Sequence, residues 1–393
     1  MADIFKVLTL NSISPLGLKR FPAQRYAVDA NLSAPDAIHV RSQDIHRMDI
    51  PHEVKAIGRA GAGTNNIPVA EMTRRGVPVF NAPGANANAV KELVIASILL
   101  AARNIVPAIG FVSRLKGESD AKLHEEVEEQ KKHFVGGELP ARTLGIIGLG
   151  KVGSIVADAA IKLGMEVLGY DPHITVDAAW SLPSQVRKAN SIEEVLKGSD
   201  YVTLHVPLME ATRNLLSPER IKLMKQGATL LNFARDGLVD SPALLDAFAA
   251  KRLRYYICDF PTLALQGHPQ VIALPHLGAS TQEAEDNCAV MVVNQVRNFL
   301  EQGNIANAVN FPDAMLDREA PFRVAIANAN VPNMLGQIST AMARAGLNIH
   351  DMLNKSKGEM AYTLVDVDSA VPEQLLAEIS GIAGVLSVRY LPD

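Results

Sequence analysis

The chain has 393 residues, 48% of them hydrophobic and 20% charged, and a formal net charge of −4. That length suits roughly two or three domains with well-filled cores, and the charge gives no reason to expect nucleic acid or an anionic membrane as partner. Two cysteines, Cys258 and Cys288, without a CxxC pair, exclude a disulfide framework and suggest no metal site.

The first stretch, MADIFKVLTLNSISPLGLKRF, lacks the basic-then-apolar layout of a secretory signal. Residues 1–90 alternate short apolar runs with polar segments. Strands are expected at Phe5–Leu10, Ala37–Val40, Val54–Arg59 and Val77–Asn81, with turns at Gly61-Ala62-Gly63 and Pro83-Gly84. This is an α/β pattern of its own. Arg41 and Arg59 fall at strand C-terminal ends, where open α/β sheets bind ligands. Val90 to about Val112 reads as one long buried helix leading into a second domain. Its uncharged run, Leu93–Ala102, is short of the roughly 20 residues of a membrane span, so a cytoplasmic protein is expected. Lys116–Lys132, dense in Glu and Lys, reads as a solvated helix or lid.

Thr143 to Asp171 carries the most specific pattern. A buried strand leads into Gly148-Leu149-Gly150-Lys151-Val152-Gly153, then an apolar-periodic helix, a second strand Glu166–Tyr170, and Asp171. These are the parts of a dinucleotide-binding unit. Gly148 permits the tight turn, Gly150 lets backbone approach a pyrophosphate, and Gly153 lets helix pack on strand. The helix N-terminus offers N–H groups to the phosphates. Asp171 accepts hydrogen bonds from ribose hydroxyls and repels a 2′-phosphate, which favours NAD over NADP.

Further strands are expected at Tyr201–Val206, Thr229–Phe233, Tyr255–Asp259 and Val271–Leu274, with helices at Ser191–Gly198, N-capped by Ser191, and Pro242–Ala250. Successive βα units predict a doubly wound parallel sheet. Residues after Ser280, through Leu300, are expected to form one amphipathic helix. From Pro321 the order β-α-β-β-α-β is ferredoxin-like, preceded by a polar, proline-containing link at Phe311–Ala320. An independent module is expected there.

Hydride exchange between a nicotinamide and a 2-hydroxy acid needs a cation to fix the carboxylate and an acid/base for the hydroxyl proton. Arg235, in Ala234-Arg235-Asp236-Gly237, suits the first task because guanidinium is permanently charged and binds bidentately. His276, in Pro275-His276-Leu277-Gly278, suits the second because imidazole titrates near neutrality.

GIIGLGKVG, NFARDGLVD and LPHLGAST resemble the signature stretches of the D-isomer-specific 2-hydroxyacid dehydrogenases. VRS, FNAPGANANAVKELV and the C-terminal module are similar to members that act on a phosphorylated 2-hydroxy acid and carry an ACT domain. The resemblance implies two Rossmann-like or flavodoxin-like doubly wound domains plus a C-terminal ferredoxin-like (ACT) module. It divides the chain into a discontinuous substrate-binding domain (1–97 and 282–315), an NAD-binding domain (98–281) and a regulatory domain (321–393).

It also implies that Arg235 and His276 are catalytic. Gly148, Gly150, Lys151, Val152, Gly153, Asp171, Pro207, Ala234, Asp259 and Gly278 would bind the cofactor, with Asp259 near the nicotinamide carboxamide. Arg41, Ser42, Arg59, Gly61, Ala62, Gly63 and Asn86 would hold the substrate, and the first domain would close over the cofactor domain. Asn330 and Asn348 would bind an L-serine effector, Asn333 standing in for a turn glycine. A homo-oligomer is expected.

One departure stands out. The family follows the Asp-Phe segment with a glutamate that bonds the catalytic histidine and raises its pKa, but CDFPTLALQGH places Leu263 or Ala264 there. Glu283 or Asp259 are the acids left to replace it. The alternatives are a histidine working without a carboxylate, a sister enzyme of glycerate, hydroxypyruvate or D-lactate, and an NADH-sensing protein without turnover.

Overall fold

A computed structural model of the chain describes residues 4–116 and 119–392. It divides into two compact units, Met1–Asn86 with Gln282–Asp393, and Ala87–Thr281.

The first unit begins with five parallel strands, β1 (Phe5–Leu10), β2 (Tyr26–Asp29), β3 (Ala37–Val40), β4 (Ala56–Arg59) and β5 (Val79–Phe80), in the order β2-β1-β3-β4-β5. This is the flavodoxin-like order. All four residues of β3, Ala-Ile-His-Val, are buried, as expected of a parallel strand covered on both faces. The helix Gln282–Gln302 supplies part of one cover, with Val292 and Val296 packed against Gly58. The pattern search missed β2, whose YAVD is only four residues long.

His39 on β3 is fully buried, and among the described residues neither ring nitrogen has a hydrogen-bond partner. Desolvation lowers its pKa to about 4. The unfolded chain, with an ordinary histidine, takes up this proton near pH 6.5. The unfolded state therefore binds more protons as pH falls from about 6.5 towards 4, and stability drops over that window by about 3 kcal/mol from this residue. His39→Leu should flatten that part of the urea-midpoint profile.

The C-terminal strands β13 (Phe322–Ala329), β14 (Ile349–Lys357), β15 (Met360–Val367) and β16 (Val385–Pro392) form an antiparallel sheet in the order β14-β15-β13-β16. With helices Met334–Arg344 and Glu373–Ser380 this is the expected βαββαβ arrangement. Val324, Ile326, Val365 and Val367 face those helices, packing on Met334, Ile338 and Met342. The alternate residues Ala325, Ala327, Tyr362 and Leu364 face the other way and share one core with Val292, Phe299 and Phe311.

The C-terminal module thus shares a core with the rest of its unit, and the link at 311–320 contributes to that core. Phe311 and Ala314 in that link are fully buried, because both faces of the C-terminal sheet are covered. The seam is also polar at one edge. Arg323 and Asp366, both fully buried, are joined by Nε–Oδ1 and Nη2–Oδ2 bonds of 2.5 and 2.7 Å. Arg323 also donates to the Gln302 carbonyl at 2.9 Å, Arg389 to those of Phe299 and Leu300 at 2.9 and 2.8 Å, and Tyr362 to that of Gly303 at 2.7 Å. Arg389 and Arg323 thereby satisfy the Leu300 and Gln302 carbonyls of the helix C-terminus, where the Phe299 carbonyl also accepts from the Gly303 N–H at 2.9 Å, and the cations suit its negative dipole end. Removing one partner of a buried pair leaves an uncompensated charge. Arg323→Ala should lower stability by about 3–5 kcal/mol in urea unfolding.

The second unit contains seven parallel strands: β6 (Thr143–Ile147), β7 (Glu166–Tyr170), β8 (Val186–Lys188), β9 (Tyr201–Leu204), β10 (Ala228–Asn232), β11 (Leu253–Cys258) and β12 (Val271–Ala273). Their order, β12-β11-β10-β9-β6-β7-β8, is that of a dinucleotide-binding fold with one added strand.

The single helix expected from Val90 to Val112 is corrected. It is two helices, Ala87–Ala102 and Ile105–Val112, bent by 66°. Asn104 takes a left-handed backbone (φ 50°) at the break, and its side-chain oxygen accepts from Arg254 and Tyr255 at 2.8 and 3.0 Å. The second helix buries none of its residues. Among the described residues no single helix is long and apolar enough to cross a membrane.

Helix Ala87–Ala102 packs Val90, Val94 and Ile98 into the core of the seven-stranded sheet. That places the boundary at Asn86 rather than residue 97. In the charged stretch 116–132, Asp120–Gln130 is a helix with no buried residue, and residues 117 and 118 lie outside the described ones.

Candidate active site

Five neighbouring strands of the second unit, β12-β11-β10-β9-β6, end on one edge of the sheet. The residues that follow them are Pro275-His276, Asp259, Ala234-Arg235, Pro207 and Gly148. Adjacent strands lie about 4.8 Å apart, so topology alone gathers residues 128 positions apart in sequence, from 148 to 276.

The glycine turn has the geometry its sequence suggests. Gly148 has φ +96°, and a Cβ there would lie 2.5 Å from the His205 carbonyl oxygen. At Gly153 a Cβ would lie 2.0 Å from the Gly148 oxygen. A Cβ at Gly150 would meet nothing within 4 Å, which leaves the N-terminus of helix Lys151–Lys162 open to a phosphate. Beside it is a cavity of about 810 Å³ lined by Gly150, Lys151, Asp171, Ile174 and Thr175. Asp171 accepts from the Leu149 and His173 N–H groups, each at 2.9 Å, which orients the carboxylate at the cavity wall. The turn, open helix end and acid fit a dinucleotide. Gly153→Ala should raise the NADH dissociation constant by about tenfold or more, read by fluorescence titration.

Arg235 is exposed and donates from Nη1 to the Ala234 carbonyl at 2.6 Å. Among the described residues it has no carboxylate partner. Asn232, almost fully buried, accepts from the Ala234 N–H at 3.2 Å and donates to the Arg235 carbonyl at 2.9 Å. It fixes the turn that presents the guanidinium. Sequence reasoning passed over Asn232, although a polar residue closing an apolar strand was the available signal.

His276 is exposed, with φ +57°. Within its own unit no described carboxylate bonds its ring. Leu263, where the glutamate was expected, is 91% exposed. Asp259 is 1% exposed, and its oxygens accept from the Leu277 and Gly278 N–H groups at 2.7 and 2.6 Å. Asp259 is thus engaged with the backbone of the histidine loop and does not bond the imidazole. Pro207 is exposed and its carbonyl accepts from Thr212 at 2.6 Å. Val152 is half-buried in the first turn of the helix.

In the first unit, Arg41-Ser42 follows β3, and Arg59 ends the adjacent strand β4, with Gly61-Ala62-Gly63 just beyond. Arg41 is ion-paired through Nη2 with Glu285 in the first turn of helix Gln282–Gln302. Asn66, buried, donates to the carbonyls of Arg41 and Gln43 at 3.2 and 2.7 Å. Arg59 lies over Gly61, where a Cβ would sit 1.9 Å from Nη1. Asn81 donates to the Ala62 carbonyl, tying the Gly-Ala-Gly turn to the segment that leads to Asn86. Asn66, Asn81 and Glu285 were not singled out from the sequence.

Asn330 donates to the Gly358 carbonyl at 3.1 Å, and Asn348 to Asp368 at 2.6 Å. Gly358 follows β14 and Asp368 follows β15, so the two asparagines stand at opposite ends of the sheet. One copy of the module does not bring them together. Asn333 has φ +62°, the left-handed geometry expected of a residue in place of glycine.

Residues 105–278 match the family model of the D-isomer specific 2-hydroxyacid dehydrogenase NAD-binding domain. The chain is 35% identical over 347 residues to the D-3-phosphoglycerate dehydrogenase of Methanocaldococcus jannaschii, covering 84% of this chain and 62% of that protein. It is 33% identical to the Escherichia coli K12 enzyme of the same name, covering 86% of this chain and 81% of that one. This chain belongs to the D-isomer specific 2-hydroxyacid dehydrogenases. Its second unit is the NAD-binding domain of that family.

Solved structures agree on the fold. The TT0316 protein of Thermus thermophilus superposes with a TM-score of 0.63 at 26% identity, over 78% of this chain and all of that one. The NAD+-bound 3-phosphoglycerate dehydrogenase of Entamoeba histolytica gives 0.61 at 24%, over 80% of this chain and all of that one. This dehydrogenase chain thus carries its cofactor turn, Arg235 and His276 on one sheet edge.

Proposed function

We propose that the protein interconverts D-3-phosphoglycerate and 3-phosphohydroxypyruvate, the first oxidation on the phosphorylated route to serine. The observation that carries this is the 33% identity to the Escherichia coli enzyme of that name, over 86% of this chain and 81% of that one. Within its own unit Arg235 has no carboxylate partner among the described residues, and within the other Arg41 and Arg59 end adjacent strands. The chain spans 62% of the Methanocaldococcus jannaschii relative, but 81% of the Escherichia coli one, and both are named phosphoglycerate dehydrogenases.

NAD, when bound, would supply the acceptor for the hydride that leaves C2 of the hydroxy acid. Arg235 holds the carboxylate and polarises the C2 oxygen, favouring the carbonyl form. His276 takes the hydroxyl proton through an imidazole nitrogen and returns it in the reverse direction. Lys151, Val152 and the glycine turn bind the pyrophosphate, Asp171 the ribose, and Pro207, Ala234 and Gly278 line the cofactor. Arg41, held by Glu285 through one terminal nitrogen, keeps its other donors for the phosphate. Ser42, Gly61, Ala62, Gly63 and Asn86 complete the substrate contacts.

A homo-oligomer accounts for helix Ile105–Val112, where Ile109 and Val112 are 63% and 57% exposed; a second copy would cover them. An L-serine effector held by both Asn330 and Asn348 would have to lie between two copies. Buried free thiols at Cys258 and Cys288 suit a reducing compartment such as the cytoplasm.

Phosphohydroxypyruvate should be reduced in preference to hydroxypyruvate and pyruvate. Arg41→Ala should raise KM about tenfold or more for the phosphorylated acid, the loss of a charge-assisted bond, and leave the unphosphorylated acids nearly unaffected. Preferred turnover of an unphosphorylated acid would instead indicate a sister dehydrogenase. NADH binding without turnover would fit the missing carboxylate beside His276.

A further inference from the structure

His276 has an uncommon backbone conformation, an exposed ring and no carboxylate bonded to that ring within its unit. A left-handed backbone is disfavoured for a residue with a Cβ and persists only where its surroundings impose it. An exposed imidazole without a partner is also free to change rotamer. An acid/base that must meet a hydroxyl in one geometry therefore needs another source of order.

The two residues after β11 supply it. Asp259 places a nearly fully buried carboxylate on the N–H groups of Leu277 and Gly278, at 2.7 and 2.6 Å. These peptide groups directly follow His276, so its φ of +57° cannot relax without breaking two charge-assisted hydrogen bonds. Phe260 sets its ring against the imidazole, with centroids 5.2 Å apart and planes at 63°. This tilted edge contact is a favoured aromatic arrangement and selects one side-chain rotamer. Cys258 Sγ lies 3.5 Å from the Phe260 carbonyl as donor, which anchors the backbone behind the ring.

We propose that Asp259 and Phe260 are positioning residues for His276, whose ring no described carboxylate of its own unit bonds. This inference rests on His276 being the acid/base. Asp259 fixes the backbone from which the imidazole projects, and Phe260 fixes the direction of the ring. Neither consumes a ring nitrogen, so both nitrogens stay available to substrate and water. A carboxylate partner would engage one of them and set the tautomer.

The test uses the full-length protein with NADH and phosphohydroxypyruvate. Phe260→Ala should lower kcat about three- to tenfold, the weight of one aromatic contact, with KM and the NADH dissociation constant within about twofold of wild type. Phe260→Tyr keeps the ring edge and should restore kcat. Asp259→Asn, which keeps one acceptor oxygen but sets an amide NH2 against one of the two backbone N–H groups, should lower kcat further. Unchanged kcat in Phe260→Ala would overturn the proposal. So would a loss matched by weaker NADH binding, or one that Phe260→Tyr fails to repair. His276→Asn is measured in parallel. If it retains wild-type kcat, the acid/base assignment fails first, and the positioning role falls with it whatever Phe260 does.

Discussion

The parallel register of the seven-stranded sheet is the constraint on which the chemistry depends. Each strand hands the chain to a turn on the same edge, so Gly148, Arg235, Asp259 and His276 converge although they are spread from residue 148 to residue 276. A parallel sheet needs helices on both faces, which leaves this edge as the open place for a ligand. The glycine turn then brings backbone close enough that a single methyl group at Gly153 would collide with the carbonyl of Gly148. Cofactor binding is thus written into the close approach of main chain to main chain, and side chains refine it.

The same physics explains what the sequence made legible. Long apolar runs with glycine punctuation, such as TLGIIGLGKVG, identify a buried strand and its turn because few other structures tolerate that pattern. Arg235 and His276 were legible because each follows an apolar strand and is of the residue type that the chemistry requires. Short strands with mixed residues, Tyr26–Asp29 and Val186–Lys188, left no periodic signal. Asn232, Asn66 and Glu285 were invisible for a different reason. Each acts on residues brought near only by folding, and their types are common everywhere on a surface.

The C-terminal sheet shows where composition misleads. A polar link with a proline reads as a boundary, yet Phe311 and Ala314 within it are fully buried. Strict alternation along Phe322–Ala329 does not say what covers the second face of the sheet. Here the small residues Ala325 and Ala327 allow close packing against Val292 and Phe299. Arginines then cap the helix C-terminus. The helix that carries Glu285 in its first turn is therefore held at its last turn by the C-terminal sheet. The sequence showed Leu263 or Ala264 where the family has a glutamate, but the buried carboxylate on the backbone amides of the histidine loop and the phenyl ring on the imidazole needed coordinates.

The most direct test of the account is isotopic. The protein is incubated with NADH deuterated at C4 of the nicotinamide and with phosphohydroxypyruvate, and the product is analysed by mass spectrometry and chiral chromatography. The account predicts one deuterium at C2 of D-3-phosphoglycerate. Failure of deuterium to reach C2, or transfer giving the L-isomer, would contradict it.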